Sequence, residues 1–154
     1  MTRFTIWIQS ALWVCLFAGV ALGQDLVRTC LDGSDDGEGL ELTVDNFGVM
    51  HLSHVALVSG NLSYTTIEAD GSVSREGIAN RIHRFPTSRT RSTSIALSGG
   101  QSFVCFQDPL RDQVRLAIRT EGVWATEVVE DNAQGDGCSV LVDSGIIHVF
   151  YEGD

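Results

Sequence analysis

Arg75, Arg81, Arg84, Arg89 and Arg91 crowd into residues 75–91 around His83, with Glu76 the sole acid among them. The chain as a whole is acidic, with formal net charge −10, twenty Asp and Glu against ten arginines and no lysine. The segment therefore reverses the local sign of charge. Planar guanidinium forks match carboxylate, sulfate and phosphate geometry, so Arg81, Arg84, Arg89 and Arg91 are the expected ligand-binding residues. Trp124 joins them as an aromatic on which a sugar ring can stack. The plainer reading gives the arginines an acidic surface to neutralise, on this chain or a neighbour, and packs Trp124 between structural units.

A second chemistry is written in Asp32-Gly33-Ser34-Asp35-Asp36-Gly37-Glu38-Gly39. Asp32, Ser34 and Asp36 alternate ahead of Gly37 as in the first half of a calcium loop, where alternation aims oxygens inward and glycine permits the sharp turn. Asp32, Ser34, Asp36 and Glu38 are the expected metal ligands. Thr43 holds the twelfth position, where a bidentate carboxylate belongs, and Glu41 stands nearby. The related turn Asp131–Gly137 keeps Asp131 and Asp136 but has Ala133 and Gly135 between them. A solvated acidic hairpin is the competing reading. Calcium is the one cofactor the pattern suggests, and none is required.

Catalysis has no local signature. The sequence holds no His-Glu-x-x-His, Cys-x-x-Cys, nucleophile elbow, phosphate loop or dinucleotide fingerprint. An active site spread over several loops leaves no local motif, so this silence counts against an enzyme without deciding the matter. His51 and His148 occupy equivalent positions in two related segments, which points to packing or hydrogen bonding. Nucleic acid is not an expected partner of so acidic a chain.

Met1-Thr2-Arg3, the apolar stretch Phe4–Val20 and small residues through Gly23 have the form of a secretory signal peptide over 1–23, leaving 24–154 as one domain, secreted or periplasmic, with no membrane insertion after cleavage. Export puts Cys30, Cys105 and Cys138 in an oxidising compartment, where one disulfide is expected and the spacing leaves all three pairings open.

What must position these residues is all β. Short β-branched and aromatic runs recur between Gly, Asp, Asn and Ser clusters, and no stretch has a sustained helical period. Strands are expected near 25–31, 40–45, 49–56, 62–67, 73–79, 93–98, 102–107, 113–119, 123–130, 139–143 and 146–151. Leu42–Leu52, Ile95–Val104 and Val140–Val149 read as one segment written three times, and Gly71–Ile78 pairs with Gly122–Val129. The turn glycines Gly48, Gly100 and Gly145 recur at spacings of 52 and 45 residues, near the range of roughly 40 to 50 of a four-stranded propeller blade.

The pattern of a strand, an Asp turn, a second strand with His and an aromatic, and then Gly-Val-Trp followed by Glu and two valines resembles the β-propeller repeats of secreted bacterial proteins, distantly similar to Asp-box sialidase repeats. The resemblance covers most of residues 25–154, although Ser98 and Phe103 replace the Asp and His of the other segments and the full Asp-box consensus is absent. It implies four-stranded antiparallel blades, about two and three-quarters of them, with an open β-sandwich as the alternative. A ring needs about four blades, so the expectation is a homo-oligomer or a structural fragment of a longer propeller. The expected function is an exported, non-enzymatic module binding a glycan or an extracellular protein; the alternative is a hydrolase or lyase on an anionic polysaccharide.

Overall fold

The computed structural model describes residues 15–18, 27–30, 37–56, 59–82, 93–133 and 137–152, with backbone alone for 15–18, 27–30 and 37–38. The described elements are strands: β1 (Cys15–Ala18), β2 (Val27–Cys30), β3 (Gly37–Val44), β4 (Met50–Ala56), β5 (Leu62–Ile67), β6 (Val73–Ala79), β7 (Thr93–Ser98), β8 (Gln101–Asp108), β9 (Gln113–Thr120), β10 (Val123–Asp131), β11 (Cys138–Asp143) and β12 (Ile146–Tyr151). Among the described residues there is no helix, and so none long and apolar enough to cross a membrane. Every pairing is antiparallel between consecutive strands, giving a first sheet β3-β4-β5-β6, a second sheet β7-β8-β9-β10 and the hairpins β1-β2 and β11-β12. Neither four-stranded sheet closes on itself.

The all-β expectation holds nearly strand for strand. One strand was not expected: β1 falls inside the segment read as a leader, and its Cα partners are those of β2.

Turn chemistry explains the registers. Gly99-Gly100, Glu121-Gly122 and Ser144-Gly145 each put two successive residues at positive φ, between 50° and 81°. Each also joins a pair of directly opposed residues, Ser98 with Gln101, Thr120 with Val123 and Asp143 with Ile146. These are two-residue turns whose twist matches that of the flanking strands. The longer turn after β3 is closed by Asp45, whose Oδ1 accepts the Phe47 and Val49 amides at 2.8 and 2.9 Å.

Two apolar layers hold the units together. Val55, Leu62, Tyr64 and Ile82 of the first unit meet Ile95, Val104, Phe106 and Ala117 of the second sheet. On that sheet's other face, Phe103, Cys105, Val114 and Leu116 pack with Cys138 and Val140 of β11. A disulfide between Cys105 and Cys138 joins β8 to β11 across this second layer. The sequence had left that pairing open.

The leading strands are also stitched by hydroxyls. Ser53 Oγ lies 2.7 Å from Thr93 Oγ1, which donates to the Gly39 carbonyl at 2.7 Å, tying β7 to β3 and β4. Ser94 Oγ accepts the Val140 amide at 3.1 Å and hydrogen-bonds Glu41, tying β7 to β11 and β3. Burial pushes the Glu41 carboxyl above its ordinary range, and the Ser94 bond opposes that push.

Candidate functional site

The described side chains with the most organised chemistry meet in the seam between the two four-stranded sheets. Register explains why. Ser53 opposes Tyr64 and Tyr64 opposes Glu76, so these residues share one face of the first sheet. In the second sheet Ser102 opposes Arg119 and Arg119 opposes Trp124, placing that row on one face as well. The two faces come together over the first apolar layer.

Glu76 is the hub. Arg119 Nε and Nη2 donate to its Oε2 and Oε1 at 2.9 and 2.6 Å, and Trp124 Nε1 donates to Oε2 at 3.0 Å. The Arg119 hydrogen bond draws the carboxyl down, partial burial pushes it up, Trp124 adds to the lowering, and the carboxyl ends below its usual range. Arg119 is raised in turn, chiefly by its bond to Glu76. The guanidinium also sits 5.6 Å from the centre of the Tyr64 ring, and Trp124 meets that ring edge-on at 5.1 Å.

A carboxylate, an imidazole and two hydroxyls run through the same seam. Asp45 Oδ2 lies 3.4 Å from His51 Nε2, long for a well-made hydrogen bond. His51 Nδ1 is 2.5 Å from the Tyr64 hydroxyl, which is 3.2 Å from Ser102 Oγ. With Nδ1 as acceptor, Tyr64 donates to His51 and accepts from Ser102. Such a relay can activate an oxygen where substrate reaches it. Here Tyr64 is 2% exposed and Ser102 5%. The oxygens at its far end are sealed inside the seam, so the relay fastens two sheets. Burial is also what raises the Tyr64 phenol above its ordinary range.

A buried acidic side chain stands at the β8–β9 turn. Asp108 is fully buried, with Arg111 Nη1 2.5 Å and Arg115 Nη1 3.8 Å from its Oδ2.

Of the residues expected to bind ligand, Arg81 and Trp124 lie among those described, and they take different partners. Arg81 follows β6, exposed and at positive φ, with its amide donating to Asn61 Oδ1 at 3.0 Å. The next residue, Ile82, is buried and donates to the Gly60 carbonyl at 2.9 Å. The root of the arginine-rich connection is thus pinned while its first guanidinium faces solvent. Trp124 is half-buried against Tyr64 and Glu76, between the sheets. Arg84, Arg89, Arg91, Asp32, Ser34 and Asp36 lie outside the described residues. Glu38 is in β3 opposite Val55, with its side chain outside them. Among the described residues no group of three His, Cys, Asp or Glu side chains is placed to hold a metal ion.

Sequence reasoning singled out His51 and Trp124 but missed Glu76, Arg119, Tyr64 and Ser102 as their partners. Glu76 and Arg119 stand 43 residues apart, and only the strand registers bring them to one seam. The chain matches no protein-family model, no curated protein and no solved structure.

Proposed function

We propose that the chain is an exported, non-enzymatic module of propeller-like blades that binds a glycan or an extracellular protein through the arginine-bearing connection after β6. The observation that carries this reading is the stacking order. The second sheet's first strand, β7, lies against β3 on one side and β11 on the other, as the innermost strands of neighbouring blades do. The matched segments Leu42–Leu52, Ile95–Val104 and Val140–Val149 then all fall on the first hairpin of a unit.

The binding part of the reading draws support from how residues are spent. The described acid, imidazole and hydroxyl groups of the seam are consumed in fastening sheets, whereas Arg81 projects from a pinned root beside a cluster of further arginines. Cations on a rigid β scaffold suit anionic groups, on a sugar or on a protein surface. The test is a glycan array and an anionic-polysaccharide titration with the exported chain and with an R81A/R84A/R89A/R91A variant. Binding that is lost in the variant, with no change in polysaccharide chain length, supports the module. Turnover of the polysaccharide would replace it with the hydrolase or lyase reading, and undiminished binding by the variant would remove the arginines from it. Intact mass of the exported product checks the leader, with a start at Gln24 expected.

A further inference from the structure

Hydrogen bonds between units decide which turns share an end. Thr93, at the start of β7, donates to the Gly39 carbonyl near the start of β3, and Ser94 accepts the Val140 amide near the start of β11. The leading strands β3, β7 and β11 therefore start together at one end. Because every hairpin is antiparallel, the turns that close β3-β4, β5-β6, β7-β8, β9-β10 and β11-β12 gather at the other end. The arginine-bearing connection leaves β6 at the starting end, away from them.

The gathered turns carry one sign of charge. Residues 44–50, 67–73, 98–101, 120–123 and 143–146 include Asp45, Glu68, Asp70, Glu121 and Asp143, and no Arg or His. They also hold large apolar side chains out in water: Phe47 is 88% exposed, Val123 70% and Ile146 60%, with Val44 and Val73 half-exposed. The fold does not need Phe47, because the Asp45 carboxylate and Gly48 at φ 84° close that turn. The frame beneath is fixed in the neighbouring turn as well, where Asp70 Oδ1 accepts the Ser72 amide at 2.8 Å and the Gly71 amide donates to the Glu68 carbonyl at 2.9 Å. At the starting end the described turns expose one large apolar side chain, Leu110, and Arg111 follows it. Apolar exposure without a cation belongs to the turn end.

We propose that the turn end docks a cationic amphipathic segment of a partner protein, its apolar side chains on Phe47, Val123 and Ile146 and its Lys or Arg side chains among Glu68, Asp70, Glu121 and Asp143. Exposed apolar side chains gathered at one end mark an interaction surface. The acids choose its occupant, since they attract cations and repel anionic polysaccharide and anionic lipid. A polycation without apolar side chains would leave Phe47 in water. Turns already closed by their own hydrogen bonds lose little freedom when a partner lands. The surface lies at the opposite end from the arginine-bearing connection and does not depend on what that connection binds.

Fluorescence anisotropy on the full chain tests it, with a labelled synthetic peptide of alternating leucine and lysine as probe and salt at about 0.15 M to screen bulk charge. The wild type should bind this peptide at least ten-fold more tightly than polylysine of equal charge. Phe47→Ser with Val123→Ser, both at exposed positions outside the cores, should weaken binding about ten-fold. Glu68→Gln with Asp70→Asn and Glu121→Gln should weaken it several-fold and flatten its salt dependence. Leu110→Ser, at the other end, should bind as the wild type does. Equal binding of polylysine overturns the proposal, because net charge alone then explains the affinity, and so does equal binding of an alternating leucine and glutamate peptide. Unchanged affinity in the Phe47→Ser, Val123→Ser variant places the peptide elsewhere and overturns it too. Light scattering covers one further occupant: a wild type that self-associates and a Phe47→Ser, Val123→Ser variant that does not would give this end to a second copy instead.

Discussion

Glu76 collects three N–H donors from the neighbouring sheet, and its acidity follows from them. A folded carboxyl held below the unfolded value, about 4.3 for a glutamate, contributes its full stability above that range. The contribution is lost as pH falls through the depressed folded value. Glu76→Gln should therefore cost roughly 1–3 kcal/mol near neutral pH, and the gap from wild type should close as both are melted in urea at successively lower pH. A gap that stays constant down to acid would assign the loss to packing. Tyr64→Phe tests the relay: it strands His51 Nδ1 and Ser102 Oγ inside the seam, for a loss of roughly 1–3 kcal/mol read in the same melts. Adding Ser102→Ala should return part of that loss, since one stranded group is then removed. From sequence, His51 could be assigned a packing or hydrogen-bonding role because a related segment repeats it. Its partner Tyr64 could not be named from the repeat, and the next link of the relay, Tyr64 with Ser102, spans 38 residues and depends on two registers at once.

At the scale of elements the sequence was far more legible, and the reason is local. Turns such as Glu121-Gly122 and Ser144-Gly145 declare their positive φ through residue type, and a two-residue turn then fixes the register of both strands it joins. What lies between units carries no such signal. The Cys105–Cys138 pairing was illegible because it depends on β11 packing on β8, a contact between separate sheets. That bond closes a loop with a sequence separation of 33, so the Cys138→Ser variant should lose about 3–4 kcal/mol on the chain-entropy estimate. The loss should be uneven. Among the described residues the hairpin β11-β12 is then held by Val140, Val142, Val149, the Ser94–Val140 bond and the exposed Tyr151–Glu130 bond, so its amides should exchange with solvent faster than those of β4 and β8. Uniform acceleration across all strands would instead mean that the hairpin and both sheets open as one cooperative unit.

For the molecule as a whole, charge and apolar surface pull in opposite directions. With formal net charge −10 on each chain, two copies repel one another on balance at long range, and apolar rows are what oppose that repulsion. The outer face of β11-β12 offers such a row in Leu141, Ile146, His148 and Phe150, with Asp143 as the acid among them. Repulsion between whole molecules acts over the Debye length, about 30 Å at 0.01 M salt and about 8 Å at 0.15 M, whereas apolar contact does not depend on it. Raising salt across that range should therefore tighten any self-association through the β11-β12 face several-fold, read as a fall in the concentration at which light scattering departs from monomer mass. A contact held mainly by exposed pairs of opposite charge would respond the other way, because screening weakens attraction between exposed opposite charges as surely as repulsion between like ones. Weakening with salt would thus move the contact from the apolar rows to the charged rim and leave Phe150→Glu with little effect.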